Sequence, residues 1–432
     1  MLTHNLQVGM TRDGVLNRRH FLRNVAVGAA GASALGWMDG VRVQADELRK
    51  KGMACILLFM RGGPSQFETF DPKPGTDTGG PTKSISTAAS GIQIAENWTN
   101  VAKQMKDIAL IRSMTNKEGN HQRAVYNLHT GYIPSGSVKY PSLGSLVASE
   151  LADPAFDLPH YVTVGGGLTE GIGSGFLGMT YAPFVVANAN QMPTNVELPG
   201  GVDGQRLRRR LGLMDKLEKD FADSGGQGRV TDHKALYETA SQMILSPRLK
   251  AFDLGQEKEN VREKYGKTPF GQGCLLARRL IETGVTFVEV FSDGWDTHAD
   301  NFDRVKNLAG VVDPAFSTLV QELQERGMLD RTLVIWMGEF GRTPNINGRT
   351  GRDHYPRSFN VALAGAGIKG GQVIGKTDKD GRGVESRPVN VADLFCSFCH
   401  SLKINPHKEN MSGVGRPIKI VDGGQVVKEL FA

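Results

Sequence analysis

Four cysteines in 432 residues are too few to staple a fold together, and Cys55 sits in an apolar run where a thiol acts as a small buried side chain. There is no internal repeat, no coiled-coil heptad, and no second long apolar segment beyond the one near the start of the chain. Charge of one sign is scarce too. The formal net charge is +6, and residues 1–45 carry five arginines and two aspartates, so the remainder stands near +3. A balance so close to neutral excludes electrostatic nucleic-acid binding as the main business of the chain. Stability must therefore come from packing, and residues 46–432 are ample for a large core, as one domain or two.

What is present begins with Asn17-Arg18-Arg19-His20-Phe21-Leu22-Arg23, a paired-arginine signal. Val25 to Trp37 follows, small and weakly apolar, of signal h-region length and shorter than the roughly 20 residues a bilayer span needs. Val43-Gln44-Ala45 places small residues where a signal peptidase reads, before the acidic Asp46-Glu47. The expectation is a twin-arginine leader over residues 1–45, cleaved after Ala45. It implies delivery by the twin-arginine export machinery to the periplasm or beyond, with no stable membrane anchor. Such cargo crosses folded, often with its metal or cofactor already inserted.

Ala54 to Met60 (ACILLFM) is a continuous apolar run closed by Gly62-Gly63-Pro64, which predicts a strand buried on both faces. Ile108–Met114, Tyr161–Val164, Thr286–Phe291, Leu333–Trp336 and Asn360–Ala364 read as further strands. Asn120–His129, Ser142–Leu151, Gly271–Thr283, Asp313–Arg326 and Val391–Leu402 read as helices. Between them Leu207, Leu211, Met214, Leu217 and Phe221 recur at helical spacing among many charges, and Asp232–Leu245 continues the pattern. The reading is an α/β fold with a doubly wound, mostly parallel sheet, helices on both faces, and a helical cap or insert over about 203–266.

Open α/β sheets collect functional groups in the loops past the carboxyl ends of their strands. Four loops here are rich in donors: 292–298 (SDGWDTH), 338–343 (GEFGRT), 351–356 (GRDHYP) and 65–71 (SQFETFD). Carboxylates and imidazoles suit Zn²⁺, Mn²⁺ or a mixed pair, which can polarise a phosphoryl or sulfuryl oxygen. An acid and a histidine in one loop more often form a salt link or a cap; several such loops beside one sheet make a stronger case.

The stretches GGPSQFETFDPKPG, YGKTPFGQGCLLARRLIETGV, GWDTHADNF, GEFGRTP and GRDHYP, in that order, resemble the twin-arginine-exported, sulfatase-like family known as domain of unknown function 1501, within the alkaline phosphatase superfamily. The resemblance covers nearly all of the chain after the leader. It implies the alkaline-phosphatase-like fold, one or two divalent metals held by Asp and His, and a nucleophile at the start of the helix after the second strand. By this resemblance Asp296 and His298 belong to one metal set, Glu339 stands where an Asp is usual, and His354 is the late histidine ligand. Asp353 and Asp293 are further metal candidates. Two departures matter. Arg61-Gly62-Gly63 occupies the place of a strand-end ligating Asp, with Glu68 and Asp71 the nearest oxygen donors. Counting back from Thr130-Gly131 puts His121 where a sulfatase keeps its nucleophile. His121 is then either a phosphohistidine-type nucleophile or a ligand replacing the missing Asp. Ser113 and Thr115 are the nearest hydroxyls. Arg342 and Arg123 are candidates to clamp an anionic group bidentately, or are surface arginines.

Cys396-Ser397-Phe398-Cys399-His400 spells a c-type haem attachment signature. It falls on a helix whose Val391, Leu394, Phe395, Phe398 and Leu402 have core spacing, so haem is not expected. The functional expectation is an exported metal-dependent hydrolase of small-molecule or polysaccharide phosphate or sulfate esters. The competing class is a non-catalytic binding protein that keeps the fold and a residual metal site.

Overall fold

Every residue of Ala54–Met60 (β1) is buried, as a run with no polar member requires. Its side chains alternate between two cores: Ile56, Leu58 and Met60 enter one, Cys55, Leu57 and Phe59 the other. The structure is a computed structural model describing residues 52–168, 171–198, 200–221, 223 and 227–431. The expected leader and its expected cleavage site lie outside the described residues.

The sheet is completed by Ile108–Thr115 (β2), Tyr161–Val164 (β3), Phe184–Val186 (β4), Phe287–Ser292 (β5), Thr332–Met337 (β6), Phe359–Ala364 (β7), Gln372–Ile374 (β8) and Val389–Asn390 (β9). The strand order is β8-β2-β7-β6-β1-β5-β3-β4, with β9 pairing the end of β2. All pairings are parallel except those of β7, which runs antiparallel to both β2 and β6. Leu58 faces Val290 on one side and Trp336 on the other. The carboxyl ends of β1, β5 and β6 are thus adjacent and point the same way.

His121–Thr130 (α1), Leu143–Leu151 (α2), Pro269–Thr283 (α5), Asn301–Glu325 (α6) and Val391–Ser401 (α7) cover the sheet, while Gly204–Phe221 (α3) and Gln227–Leu245 (α4) form a hairpin at its side. Leu275, Leu276, Leu319 and Val320 of α5 and α6 pack with Ile56 and Leu58; Leu128, Leu146, Phe395 and Phe398 of α1, α2 and α7 pack with Leu57 and Phe59. This is the α/β sheet with helices on both faces that the sequence predicts. Among the described residues no helix is long and apolar enough to cross a membrane.

α6 departs from expectation. The Asp313-Pro314 pair reads as a helix start, yet the helix begins twelve residues earlier and carries Pro314 inside it. Asp313 does cap a helix, but another one: its carboxylate accepts the Val101 N–H at 2.7 Å and the Asn100 N–H at 3.0 Å, at the start of Thr99–Lys103.

A carboxylate lies deep in the sheet. Glu289 of β5 is fully buried and accepts from Tyr161 Oη at 2.8 Å and faces His129 Nε2 at 2.7 Å; His129 Nδ1 faces the Val125 carbonyl at 2.7 Å. His129 therefore ties α1, the helix that carries His121, to the sheet. His129→Ala is expected to destabilise the fold by about 3–5 kcal/mol, because it strands a buried carboxylate. Urea unfolding checks this, and a loss under about 1 kcal/mol would show the tie to be dispensable.

Candidate metal centre

Gly62 and Gly63, just past β1, hold the site's floor. Gly62 has φ +113°, and a Cβ there would stand 2.4 Å from the Asp296 nitrogen, so only glycine lets the two loops meet. Arg61 N donates to Ser292 O at 2.8 Å and Trp295 N to Arg61 O at 3.1 Å, locking the loop after β1 to the loop after β5. The loop after β6 joins through Arg342, which is fully buried. Its Nε donates to Gly63 O (2.9 Å), Nη1 to Arg352 O (3.0 Å), and Nη2 to Gly62 O, Trp295 O (3.3 Å) and Asp296 Oδ1 (2.6 Å). Gly341–Arg342 also pairs antiparallel with His354–Tyr355, which brings the 351–356 loop alongside. One guanidinium thereby stitches four segments.

Over this floor three imidazoles converge. His121 opens α1 after the N-cap Asn120; its Nδ1 lies 2.6 Å from Glu339 Oε1. His298 Nδ1 lies 2.7 Å from Asp353 Oδ1, and His354 Nδ1 lies 2.9 Å from the Gly119 carbonyl. Carboxylates and carbonyls accept only, so each neutral ring is assigned its proton on Nδ1 and keeps a lone pair on Nε2. All three Nε2 atoms are directed at one carboxylate oxygen. Asp296 Oδ1 is 3.5 Å from His121 Nε2, 3.1 Å from His298 Nε2 and 3.4 Å from His354 Nε2, while His298 and His354 bring their Nε2 atoms within 3.0 Å of each other. His121 Nε2 is buried and makes no hydrogen bond. Donors about 2.1 Å from a tetrahedral ion stand about 3.4 Å apart, so this spacing is that of a coordination shell. The ligand atoms of His121, Asp296 and His354 all fall within 4.8 Å of one another.

The electrostatics agree. Burial pushes Asp296 up, but the Arg342 hydrogen bond and charge, with His121 and His298, outweigh it and hold the carboxyl down to about 2. The hydrogen bond to Glu339 raises His121 against its burial. Burial lowers His354, opposed by the Gly119 carbonyl. The His298 hydrogen bond lowers Asp353. The cluster thus presents an ionised oxygen among imidazoles whose Nδ1 atoms are each engaged on the far side.

The sequence candidates separate into three groups. Asp296, His298, His354 and His121 come together as convergent donors. Glu339 and Asp353 stand behind them: Glu339 is buried, accepts the Gly62 N–H at 2.9 Å as well as facing His121, and is turned away from the donors. The others are elsewhere or engaged. Asp293 is exposed and lies 3.6 Å from Arg61. Arg123 is half-exposed and forms a bidentate pair with Glu118. Arg342 has its fork filled by carbonyls and Asp296, which makes it a scaffold for the loops with no free face for an anion. The oxygen donors near β1 are likewise committed, Glu68 to buried Arg352 and Asp71 to Lys73 and Thr377. Phe340 was not singled out from sequence, yet its ring packs on His121 (4.9 Å) and His354 (4.6 Å) and keeps the two imidazoles from turning. Its place between Glu339 and Arg342 was the available signal.

The cysteines of the haem-like signature are packed away. Cys396 and Cys399 are each 2% exposed within the core under α7, with thiols pushed up by burial, so neither is offered to a macrocycle.

An open, mostly parallel α/β sheet with an imidazole and carboxylate cluster past its strand ends places that cluster where α/β proteins of this class carry their functional sites. Within it the chain is assigned by sequence: it belongs to the family described as protein of unknown function (DUF1501), whose model matches residues 53–431. No curated protein matches the chain. Solved structures similar to it include the sulfatase PsFucS1 from Pseudoalteromonas sp., at 14% identity over 84% of this chain and 71% of that one, TM-score 0.38. A protein in the alkaline phosphatase superfamily from Vibrio parahaemolyticus is 12% identical over 82% and 67%, TM-score 0.36. The lipoteichoic acid synthase LtaP from Listeria monocytogenes is 9% identical over 87% and 76%, TM-score 0.38.

Proposed function

We propose that the protein is an exported metal-dependent hydrolase of phosphate or sulfate esters, its ion held by His121, Asp296 and His354, with His298 beside them. The observation that carries this reading is the convergence of three Nε2 atoms on one Asp296 oxygen while each ring's Nδ1 faces an acceptor, an arrangement that a cation stabilises. A divalent cation there, zinc or manganese by the donor set, would supply Lewis-acid polarisation of an ester oxygen and an acidified water. The chain's own groups do the rest: Glu339 and Asp353 fix two rings through Nδ1, and Arg342 aims Asp296 Oδ1. The phosphate or sulfate class rests on the sequence resemblance, and the exported location on the leader.

A second reading, a binding protein that holds the ion without turnover, has one observation in its favour. The hydroxyls nearest the sulfatase nucleophile position are turned away, Ser113 donating to Arg387 O and Thr115 to Val389 O. Elemental analysis of the purified protein with aryl phosphate and aryl sulfate turnover separates the two. Metal with turnover supports the hydrolase, metal without it the binder, and less than about one ion per chain removes both.

Glu339→Gln keeps an acceptor for His121 Nδ1 but removes its charge. It is expected to weaken metal binding about 10–100-fold with the fold intact, as for other groups behind a ligating imidazole. Competition with a chromogenic chelator checks this, and unchanged affinity would mean the carboxylate does not tune His121.

A further inference from the structure

The α3–α4 hairpin stands apart from the metal centre and sorts its charges by face. Asp215 and Glu218 of α3 turn toward α4: Asp215 pairs with Lys234 at 3.3 Å and Glu218 with His233. Leu207, Leu211 and Met214 are half-buried on the same side. The first eleven residues of α3 hold Arg206, Arg208, Arg209 and Arg210 and no acid. Among the described residues none of these four guanidinium groups forms an ion pair; that of Arg206 donates only to the Gly201 carbonyl at 3.0 Å. Beside them Leu213 is 60% exposed and Leu217 69% exposed, one turn apart. At 100° per residue Arg206, Arg210, Leu213 and Leu217 share an arc of about 60°, with Arg209 on its flank.

Two bare leucines ringed by unpaired guanidinium groups are costly in water and match the boundary of an anionic bilayer, where leucine enters the acyl region and arginine meets lipid phosphate. A soluble polyanion would satisfy the arginines but leave the leucines wet. We infer that α3 docks this protein, lying flat, onto membranes containing anionic phospholipid. The attachment is peripheral and leaves the sheet's strand-end loops unaltered.

Co-sedimentation of the full chain with phosphatidylglycerol-containing vesicles at low ionic strength, against pure phosphatidylcholine vesicles, tests this. Binding is expected only to the anionic vesicles and is expected to fall as salt shortens the screening length. The R206Q/R209Q/R210Q variant should lose on the order of a hundredfold in partitioning, from about fivefold per arginine. L213S/L217S should lose at least about tenfold. Both variants alter exposed positions, and unchanged circular dichroism and metal content would confirm that they fold. Equal binding to both vesicle types, parental binding by the arginine variant, or retention on a heparin column without vesicle binding would each overturn the proposal.

Discussion

His121→Ala is expected to lower divalent-metal affinity by a hundred- to a thousandfold and to take ester hydrolysis with it. Four convergent donors would share the free energy of a bound ion, and zinc sites in small proteins release about 10–16 kcal/mol, so a quarter of that is about 2.5–4 kcal/mol. The loss has a second signature. Protons compete with a cation for each Nε2, and His121 holds its proton more tightly than an ordinary histidine because of Glu339. Metal affinity of the parent therefore falls as pH drops below that raised value, and the alanine variant should show a shallower fall. Zinc titration across the acid range at matched ionic strength measures both. Parental affinity with a parental pH slope would remove His121 from the shell and return it to the nucleophile role.

The second large effect is structural. Arg342→Met fills the same volume but leaves the carbonyls of Gly62, Gly63, Trp295 and Arg352 without their donor. At about 1–3 kcal/mol per orphaned buried group, the cost is at least about 4 kcal/mol, a large share of the 5–15 kcal/mol that holds a typical domain together. The pair with Asp296 adds little of its own, since that carboxylate is half-exposed and screened. Lysine should not rescue the variant, because a single ammonium cannot reach acceptors arranged around a planar fork. Denaturant unfolding of both variants decides, and a midpoint equal to the parent's would mean that the loops stand without their stitch.

Much of this was legible in the chain. β1 occupies the predicted residues because seven consecutive apolar residues, too few for a buried helix and closed by Gly62-Gly63-Pro64, fit a strand covered on both faces. Direction was not legible: the pattern of β7, FNVALA, would serve a parallel strand equally well, and only its neighbours make it antiparallel. The start of α6 was hidden because Pro314 mimics a helix beginning, and tertiary packing overrides that local signal. In the site, residue type and loop position marked the loops that carry Asp296, His298 and His354, while their individual roles and His121 itself came from the family resemblance. They could not say which acids join the convergent donors and which face the back of a ring. That separates Glu339 from Asp296, and it depends on where Gly62 places its N–H. Two-residue ribbons such as His354–Tyr355 carry no period at all.

The donors come from residue 121, residues 296–298 and residue 354, far apart in the chain and adjacent only once β1, β2, β5 and β6 have registered. An unfolded chain has no such pocket, so occupancy and folding are one equilibrium viewed from two sides. Ion at a thousand times its dissociation constant would add about 4 kcal/mol to the folded state. Starvation for the metal would then be felt as thermal fragility and protease sensitivity before it was felt as lost chemistry.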